Sequence, residues 1–306
     1  MDILYDAIIV GSGPAGLTAG LYTSRAGLQT LIIEKATLGG ELMDRDLIEN
    51  YPGYPVGVLG PELGTSMAKQ AMKYGAEIEF GEAEKVEIQD DYRVVKTSQG
   101  DYRGRAIIIA GGAHPKKLGV PGEEELADKG VFYCATCDGP GFTEKAVAVA
   151  GGGDSGLTEA LFLARMASKV IVVEVLPRLT ATKILQERGS ANHKIETKCG
   201  LEIETIRGDE HVEALDVRDV HTGQRSVLQV DGILVRVGIE ANTAYLKGSV
   251  PLDERGQIFV NETMETEIAG IFAAGDIRHN SPWQISTAVG DGATAALSLG
   301  DYLGTR

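Results

Sequence analysis

One pattern occurs twice in this chain and constrains its fold more than any other feature. The stretch "DAIIVGSGPAGLTAG" has a β-branched run, Ile8 to Val10, followed by Gly11-Ser12-Gly13-Pro14-Ala15-Gly16 and a helical stretch rich in Ala, Leu and Thr. The stretch "AVAVAGGGDSGLTEALFLA" repeats it around Gly151-Gly152-Gly153-Asp154-Ser155-Gly156. Both read as strand, glycine turn, helix. The glycines let the backbone turn tightly and approach a pyrophosphate, and the helix N-terminus faces the negative charge. "TLIIEK" then reads as a second strand ending in Glu34, and "KVIVVEV" as one ending near Glu174. The spacing from first glycine to acid is 23 positions in both. A carboxylate so placed can hold a ribose diol. One glycine match alone is weak. Two matches in the same context at the same spacing predict an α/β chain with two Rossmann-like nucleotide-binding domains, the second with Gly151, Gly153, Asp154, Ser155 and Glu174 as its nucleotide residues.

A third glycine-acid turn, "AAGD" at Gly275-Asp276, follows a strand-like run from Ile271 to Ala274, and a helix is expected from Ser286 onward. An aspartate at such a turn can reach a ligand hydroxyl. The buried-strand pattern Ile107 to Ala110 runs into Gly111-Gly112, Pro115 and Pro121, and "GILVRVGIEANTAYL" around Gly238 forms the return. The motif order therefore predicts a discontinuous first domain, residues 1–115 and 247–306, with a middle domain inserted at 116–246. Short linkers with glycine and proline suggest that the two can reorient. The stretches "VEIQDDYRVVKTSQGDYRGRAIII" and "EALDVRDVHTGQRSVLQVDGILV" have hairpin punctuation and read as antiparallel layers attached to each nucleotide fold.

Composition removes several function classes. With 29 Lys and Arg against 44 Asp and Glu, the formal net charge is -15. Nucleic acid and anionic membrane surfaces both attract basic proteins, so neither is expected as the main partner. No apolar run approaches the ~20 residues of a membrane span, and "MDILYDAIIVGSG" enters a strand-like segment with no signal-peptide pattern. Three cysteines in 306 residues are no disulfide framework. A reducing cytoplasm is the expected compartment, and there a CxxC is read as redox-active or metal-binding.

The motifs together resemble the low-molecular-weight thioredoxin reductases, flavoproteins with two dinucleotide-binding domains. The residues that carry the resemblance are "GSGPAG", "GGELM" through "IENYPG" (Gly39 to Gly53), "YCATCDG", "GGGDSG" with "EALFLA", "AAGDIR" and "QISTAVGDGATAA". They span nearly the whole chain in the family's order, with the cysteines just ahead of the second glycine motif. The resemblance implies FAD in the discontinuous domain and an NAD(P)-type inserted domain. Gly11, Gly13 and Ala15 would face the pyrophosphate and Glu34 the adenosine ribose, with Pro14 and Lys35 as further cofactor-binding residues. Gly39, Gly40, Glu41 and Asn50 would line the flavin side, where the family usually has Gln at the place of Glu41. Gly111, Gly275, Asp276, Gln284 and Ile285 would complete the site. The resemblance also suggests a homodimer.

The cysteines in "FYCATCDGPG" then take a meaning. A structural zinc site needs about four ligands; Cys134 and Cys137 give two, Cys199 is distant, and none of the five histidines stands at ligand spacing nearby. A structural disulfide across two residues would close only a tiny loop and stabilise little. Redox exchange fits better. By resemblance, Cys137 would sit against the flavin and Cys134 would attack a thioredoxin-like partner, with Asp138 as acid–base. Cys199 reads as a plain small side chain near a strand start, and His279 as an exposed loop residue. The expected function is a flavin-dependent disulfide oxidoreductase. The alternatives are the reductase component of a peroxide-reducing system and a non-enzymatic flavin redox sensor. The donor is a separate question. NADPH-using members carry a basic HRRxxxR cluster after the second strand of the middle domain, whereas this chain reads "VIVVEVLPRLTATKILQER" there. Glu174 would repel a 2′-phosphate and accept from a ribose diol, so NADH, or a non-nucleotide donor such as reduced ferredoxin or a low-potential flavin, is expected ahead of NADPH.

Overall fold

The computed structural model describes residues 3–89 and 91–305. In chain order the elements are β1 Leu4–Val10, α1 Pro14–Arg25, β2 Thr30–Glu34, β3 Leu47–Ile48, β4 Val58–Leu59, α2 Gly60–Lys73, β5 Glu77–Phe80, β6 Ala83–Ile88, β7 Arg93–Thr97, β8 Gly100–Ile109 and β9 Ala113–Pro115. They continue with β10 Val131–Phe132, α3 Ala135–Asp138, β11 Ala146–Ala150, α4 Asp154–Leu163, β12 Lys169–Glu174, α5 Lys183–Ala191, β13 Ile195–Cys199, β14 Leu201–Arg207, β15 Ala214–Asp219, β16 Arg225–Gln229 and β17 Gly232–Val235. The last are β18 Ile239–Ala241, β19 Ile271–Ala273 and α6 Ile285–Tyr302. Two compact units result: Met1–His114 with Glu240–Arg306, and Pro115–Ile239. No helix among the described residues is long and apolar enough to cross a membrane.

In the first unit, strands are ordered β5-β2-β1-β8-β7-β6, with β19 also pairing β8. β1 pairs in parallel with β2 and β8, Ala7 standing opposite Thr30 and Ala106. A parallel sheet covered on both faces needs near-continuous apolar strands. Side chains then alternate between faces. Ala7, Ile9, Ile32, Ala106 and Ile108 pack on the side that holds Leu17 of α1 and Leu299 of α6. Ile8, Val10, Leu31, Ile33, Ile107 and Ile109 pack on the other with Leu246, Val250 and Ile258.

In the second unit, β10-β17-β11-β12-β13 form one sheet, parallel throughout, and β14-β15-β16 an antiparallel layer. The alternation recurs, Val147, Val149, Val170 and Val172 on one face and Ala148, Ala150, Ile171 and Val173 on the other. Two sequence readings need correction. "GILV", expected in an antiparallel layer, is β17 and lies parallel to β11, because all four residues are buried and suit the centre of a two-sided sheet. In the other stretch, β8 splits its pairing: Gly100 to Gly104 run antiparallel to β7, while Ile107 to Ile109 run parallel to β1 and β19.

Candidate active site

The first glycine loop sits between β1 and α1. Gly11 has φ +104°, a left-handed value that favours glycine, and a Cβ there would lie 2.4 Å from the Ala110 carbonyl oxygen. A Cβ at Gly16 would lie 1.9 Å from the Gly11 carbonyl oxygen, so only glycine lets the helix seat on the loop. At Gly13 a Cβ would meet nothing within 4 Å, so the middle of the loop faces open space. Pro14 starts α1, where its missing N–H costs nothing. No side chain caps this helix, which leaves its first backbone N–H groups directed at the space beyond Gly13. That combination is what a pyrophosphate needs.

Glu34 closes the loop from β2. Its Oε2 accepts from the Ser12 backbone N–H at 2.9 Å and the Ser12 hydroxyl at 2.6 Å, and its Oε1 accepts from Ala36 N–H at 2.8 Å. Lone pairs are left for a ribose diol. Gly39 donates its N–H to the Ser12 carbonyl at 3.0 Å, and a Cβ on Gly40 would lie 3.2 Å from Gly13 Cα, so the two glycine loops abut. From the opposite side, a Cβ on Gly275 would lie 2.9 Å from Ala15 Cβ. Gly11, Gly13, Pro14, Ala15, Glu34, Gly39, Gly40 and Gly275 thus converge on the start of α1. Asn50 donates to Gln284 Oε1 at 3.1 Å, joining the segment after β3 to the residue that caps α6, and Ile285 packs with Leu42 and Leu63. Glu41 pairs with Arg45 at 3.1 Å. Gly111 accepts through its carbonyl from Asn242 at 2.8 Å. Lys35 stands apart from this group, its ammonium 2.6 Å from Glu82 on the surface.

Asp276 supplies the test of whether this cradle suits FAD. Burial pushes its carboxyl up to about 6, against one hydrogen bond from Ser281 at 3.4 Å and with the Glu41 and Asp291 carboxylates adding to the rise. A partly buried acid with so little hydrogen bonding can accept from a ligand hydroxyl. With the open loop at Gly13 and the uncapped helix, the residues present fit FAD. Sequence reasoning missed the bolt behind this turn. Asp291, buried on α6, accepts from Gly275 N–H at 3.1 Å and from the Arg278 guanidinium at 2.6 and 3.0 Å. His279, read as an exposed loop residue, is instead partly buried. Its Nδ1 lies 2.6 Å from Asp253 and its ring centroid 4.9 Å from that of Phe259.

The second unit repeats the first loop's geometry with a difference. Gly151 has φ +112°, and a Cβ on Gly156 would lie 2.0 Å from the Gly151 carbonyl oxygen. Glu174 is buried; its Oε2 accepts from Gly152 N–H at 2.7 Å and its Oε1 from Leu176 N–H at 2.9 Å. This is the Glu34 arrangement again. As Gly39 does at the Ser12 carbonyl of the first unit, residues 179–182 fold onto the second carbonyl of the loop, and here a side-chain bond is added. The Gly152 carbonyl accepts from Thr180 and Ala181, and Asp154, in the first turn of α4 beside Ser155, accepts from Thr182 N–H at 2.6 Å. Thr180 Oγ1 would lie 3.6 Å from a Cβ on Gly153. Cys199 ends β13, opposite Glu174 in register and two residues before β14 begins; burial and the Glu174 charge push its thiol up.

Cys134 and Cys137 form a disulfide with Cα atoms 5.4 Å apart. Cys134 caps the short α3, its sulfur accepting from Cys137 N–H at 3.1 Å. Cys134 is partly buried and Cys137 exposed. Asp138 ends α3. Asp138 is exposed; partial desolvation of its carboxyl first, and the Asp128 carboxylate second, raise its acid above the usual aspartate range. It therefore holds a proton to higher pH than an ordinary aspartate, which suits a proton donor to a leaving thiolate. A cavity of about 410 Å³ opens beside it, lined by Val131, Phe132, Phe142, Lys145 and Asp231 among others. Tyr133, just before the pair, donates to the buried Glu123 at 2.7 Å, and Glu123 also accepts from Leu118 and Gly119 N–H.

Comparison with known proteins agrees with this chemistry. The family described as pyridine nucleotide-disulphide oxidoreductase matches residues 5–292. The thioredoxin reductase of Bacillus subtilis (strain 168) is 44% identical over 301 residues, covering 98% of this chain and 95% of that protein. The crystal structure of Lactococcus lactis thioredoxin reductase superposes with TM-score 0.97 at 38% identity, covering 99% of this chain and 100% of that one. A ferredoxin-flavin thioredoxin reductase from Clostridium acetobutylicum aligns at 30% identity over 99% of both chains, with TM-score 0.54.

Proposed function

The chain belongs to the pyridine nucleotide-disulphide oxidoreductases and, within them, to the thioredoxin reductases, and from that premise we propose that it reduces a thioredoxin-like protein through Cys134 and Cys137 with electrons that originate from NADH or a ferredoxin-type donor rather than NADPH. The observation that carries the exchange is the Cys134–Cys137 disulfide itself, with Asp138 following it directly in the chain. Bound FAD, once reduced by the donor, would supply an electron pair. Two electrons and two protons convert the Cys134–Cys137 disulfide to the dithiol. The Cys134 thiolate then attacks a sulfur of the partner's disulfide, forming a mixed disulfide, and the partner's other sulfur leaves as a thiolate that, in this reading, takes a proton from Asp138. Cys137 attacks Cys134 in turn, which releases the reduced partner and restores the Cys134–Cys137 bond.

Around FAD we assign Gly11, Gly13, Pro14 and Ala15 to the pyrophosphate, Glu34 to the adenosine ribose, and Gly39, Gly40, Glu41, Asn50, Asp276, Gln284 and Ile285 to the flavin side. The two units of the chain correspond, in this reading, to an FAD domain and a nucleotide-type domain.

The donor assignment is supported by Glu174. Its carboxylate is fixed by two backbone N–H groups at the strand end, as Glu34 is fixed in the other unit. A second negative group held within about 4–5 Å of it would be repelled, and more strongly in a partly desolvated site than in water. The ferredoxin-type donor draws its support from the Clostridium acetobutylicum relative, whose name includes ferredoxin. Anaerobic stopped-flow bleaching of the bound flavin tests the choice. NADH or reduced ferredoxin should bleach it fastest, with NADPH the poorest of the three. Fast bleaching by micromolar NADPH, with neither of the others better, would contradict the reading of Glu174.

A further inference from the structure

Behind the disulfide lies a buried ion pair that the exchange chemistry above does not use. Glu159 on α4 and Arg236, which follows β17, have side chains only 9% and 8% exposed, with Arg236 Nε donating to Glu159 Oε1 at 2.7 Å. The other oxygen, Oε2, accepts from the backbone N–H of Ala135 at 3.3 Å. Ala135 is the residue directly after Cys134. Arg236 is itself fixed, its N–H donating to the Ala150 carbonyl at 2.8 Å, and its own carbonyl oxygen is the atom that a Cβ on Gly151 would approach to 2.2 Å. A chain of contacts thus runs from the second glycine loop, through Arg236 and Glu159, to the backbone between the two cysteines.

We propose that Glu159 and Arg236 are positioning residues for the disulfide exchange: Glu159 anchors the turn that carries Cys134, and Arg236 balances the charge that Glu159 places beneath it. This rests on the reading of Cys134–Cys137 as the exchanging pair. Both charges lie where water is excluded, so each acts on a nearby thiolate with little screening. A carboxylate alone there would disfavour the thiolate and a guanidinium alone would favour it; the pair leaves the first turn ordered and close to neutral. The other ionisable groups around the cysteines in this unit are Tyr133, bonded to Glu123, and Asp138 with Asp128 near it. Across the cavity stand Lys129, Lys145, His211 and Asp231. The variants below leave all of them in place.

The test uses the full-length flavin-containing protein, reduced and freed of reductant anaerobically, and follows alkylation of Cys134 and Cys137 by iodoacetamide against pH. In Glu159→Gln, Arg236 is left unbalanced, and the alkylation profile should move to lower pH by ~1 unit. In Arg236→Gln, the carboxylate is left unbalanced, and the profile should move to higher pH by a similar amount. The double variant should return close to the parent. Loss of structure alone would not move the two single variants in opposite directions. If Arg236→Gln does not fold, the comparison of Glu159→Gln with the charge-conserving Glu159→Asp decides: only the first should shift. Shifts in the same direction, or none, would overturn the proposal. Reduction of thioredoxin by the parent protein is measured alongside, since its absence would instead remove the exchange on which the proposal rests.

Discussion

Two glutamates, Glu34 and Glu174, end corresponding strands, and each ties down the glycine loop next to it through a backbone N–H at 2.9 and 2.7 Å. Their place was legible because the first glycine and the acid are separated by a fixed number of residues in a strand–turn–helix unit. What the sequence hid at this scale were partners remote along the chain. Ser12 holds Glu34 through its hydroxyl, Arg278 and Asp291 lock the turn at Gly275, and Asp253 binds the His279 ring. No spacing rule announces a contact that only the folded chain creates. Asp276 gives a residue-scale prediction. Its acid rises from 3.8 unfolded to about 6 folded. The folded state therefore binds the proton more tightly than the unfolded state. This contribution is favourable at low pH and is lost as pH rises from about 4 to 6, to a limit of about 3 kcal/mol. Thermal melts of flavin-free protein should show Asp276→Asn gaining stability relative to the parent between pH 4 and pH 7. A constant difference across that range would show that the carboxyl is not perturbed. The same variant should retain FAD less well, read by flavin release on gel filtration.

At the scale of elements, close approach is set by small residues. A Cβ on Gly292 of α6 would lie 2.2 Å from the Ala15 carbonyl oxygen, so α6 meets the first turn of α1 backbone to backbone. Gly20 likewise lets α1 settle on Ile32 of β2. Forcing a larger side chain into such a contact costs about 1–3 kcal/mol, or more where the obstacle is backbone. Gly292→Val should therefore lower the melting temperature and loosen FAD, because the turn it displaces includes Ala15. Gly290→Ala, whose Cβ would meet nothing within 4 Å, is the control and should leave both unchanged. Equal behaviour of the two variants would contradict the packing role. The parallel strands were readable as apolar runs, and α6 as small-residue spacing. β17 was misread because four apolar residues after a hairpin pattern look alike whether they close an antiparallel layer or enter a parallel sheet. Only burial on both faces distinguishes these outcomes, and it depends on neighbours distant in sequence.

At the scale of the whole molecule, the chain is two α/β units, each built on the same strand–glycine–helix–acid module, with the disulfide carried by the second unit and the open glycine cradle by the first. The duplicated module made this architecture legible in the sequence. The repeat extends to the segment that covers each loop: Gly39 bonds the Ser12 carbonyl in the first, Thr180 and Ala181 bond the Gly152 carbonyl in the second, and only the second adds a side-chain bond, from Thr182 N–H to Asp154. The exit of electrons through Cys134 and Cys137 is the step on which the proposed function turns. Its most direct measurement is a single-turnover assay in which the flavin-containing protein, reduced anaerobically with dithionite and freed of excess reductant, is mixed with oxidised thioredoxin, and new thiols on thioredoxin are counted. The parent should deliver electrons to thioredoxin, and Cys134→Ser and Cys137→Ser should each deliver essentially none while keeping their flavin. Delivery by either serine variant at the parent's rate would contradict the claim.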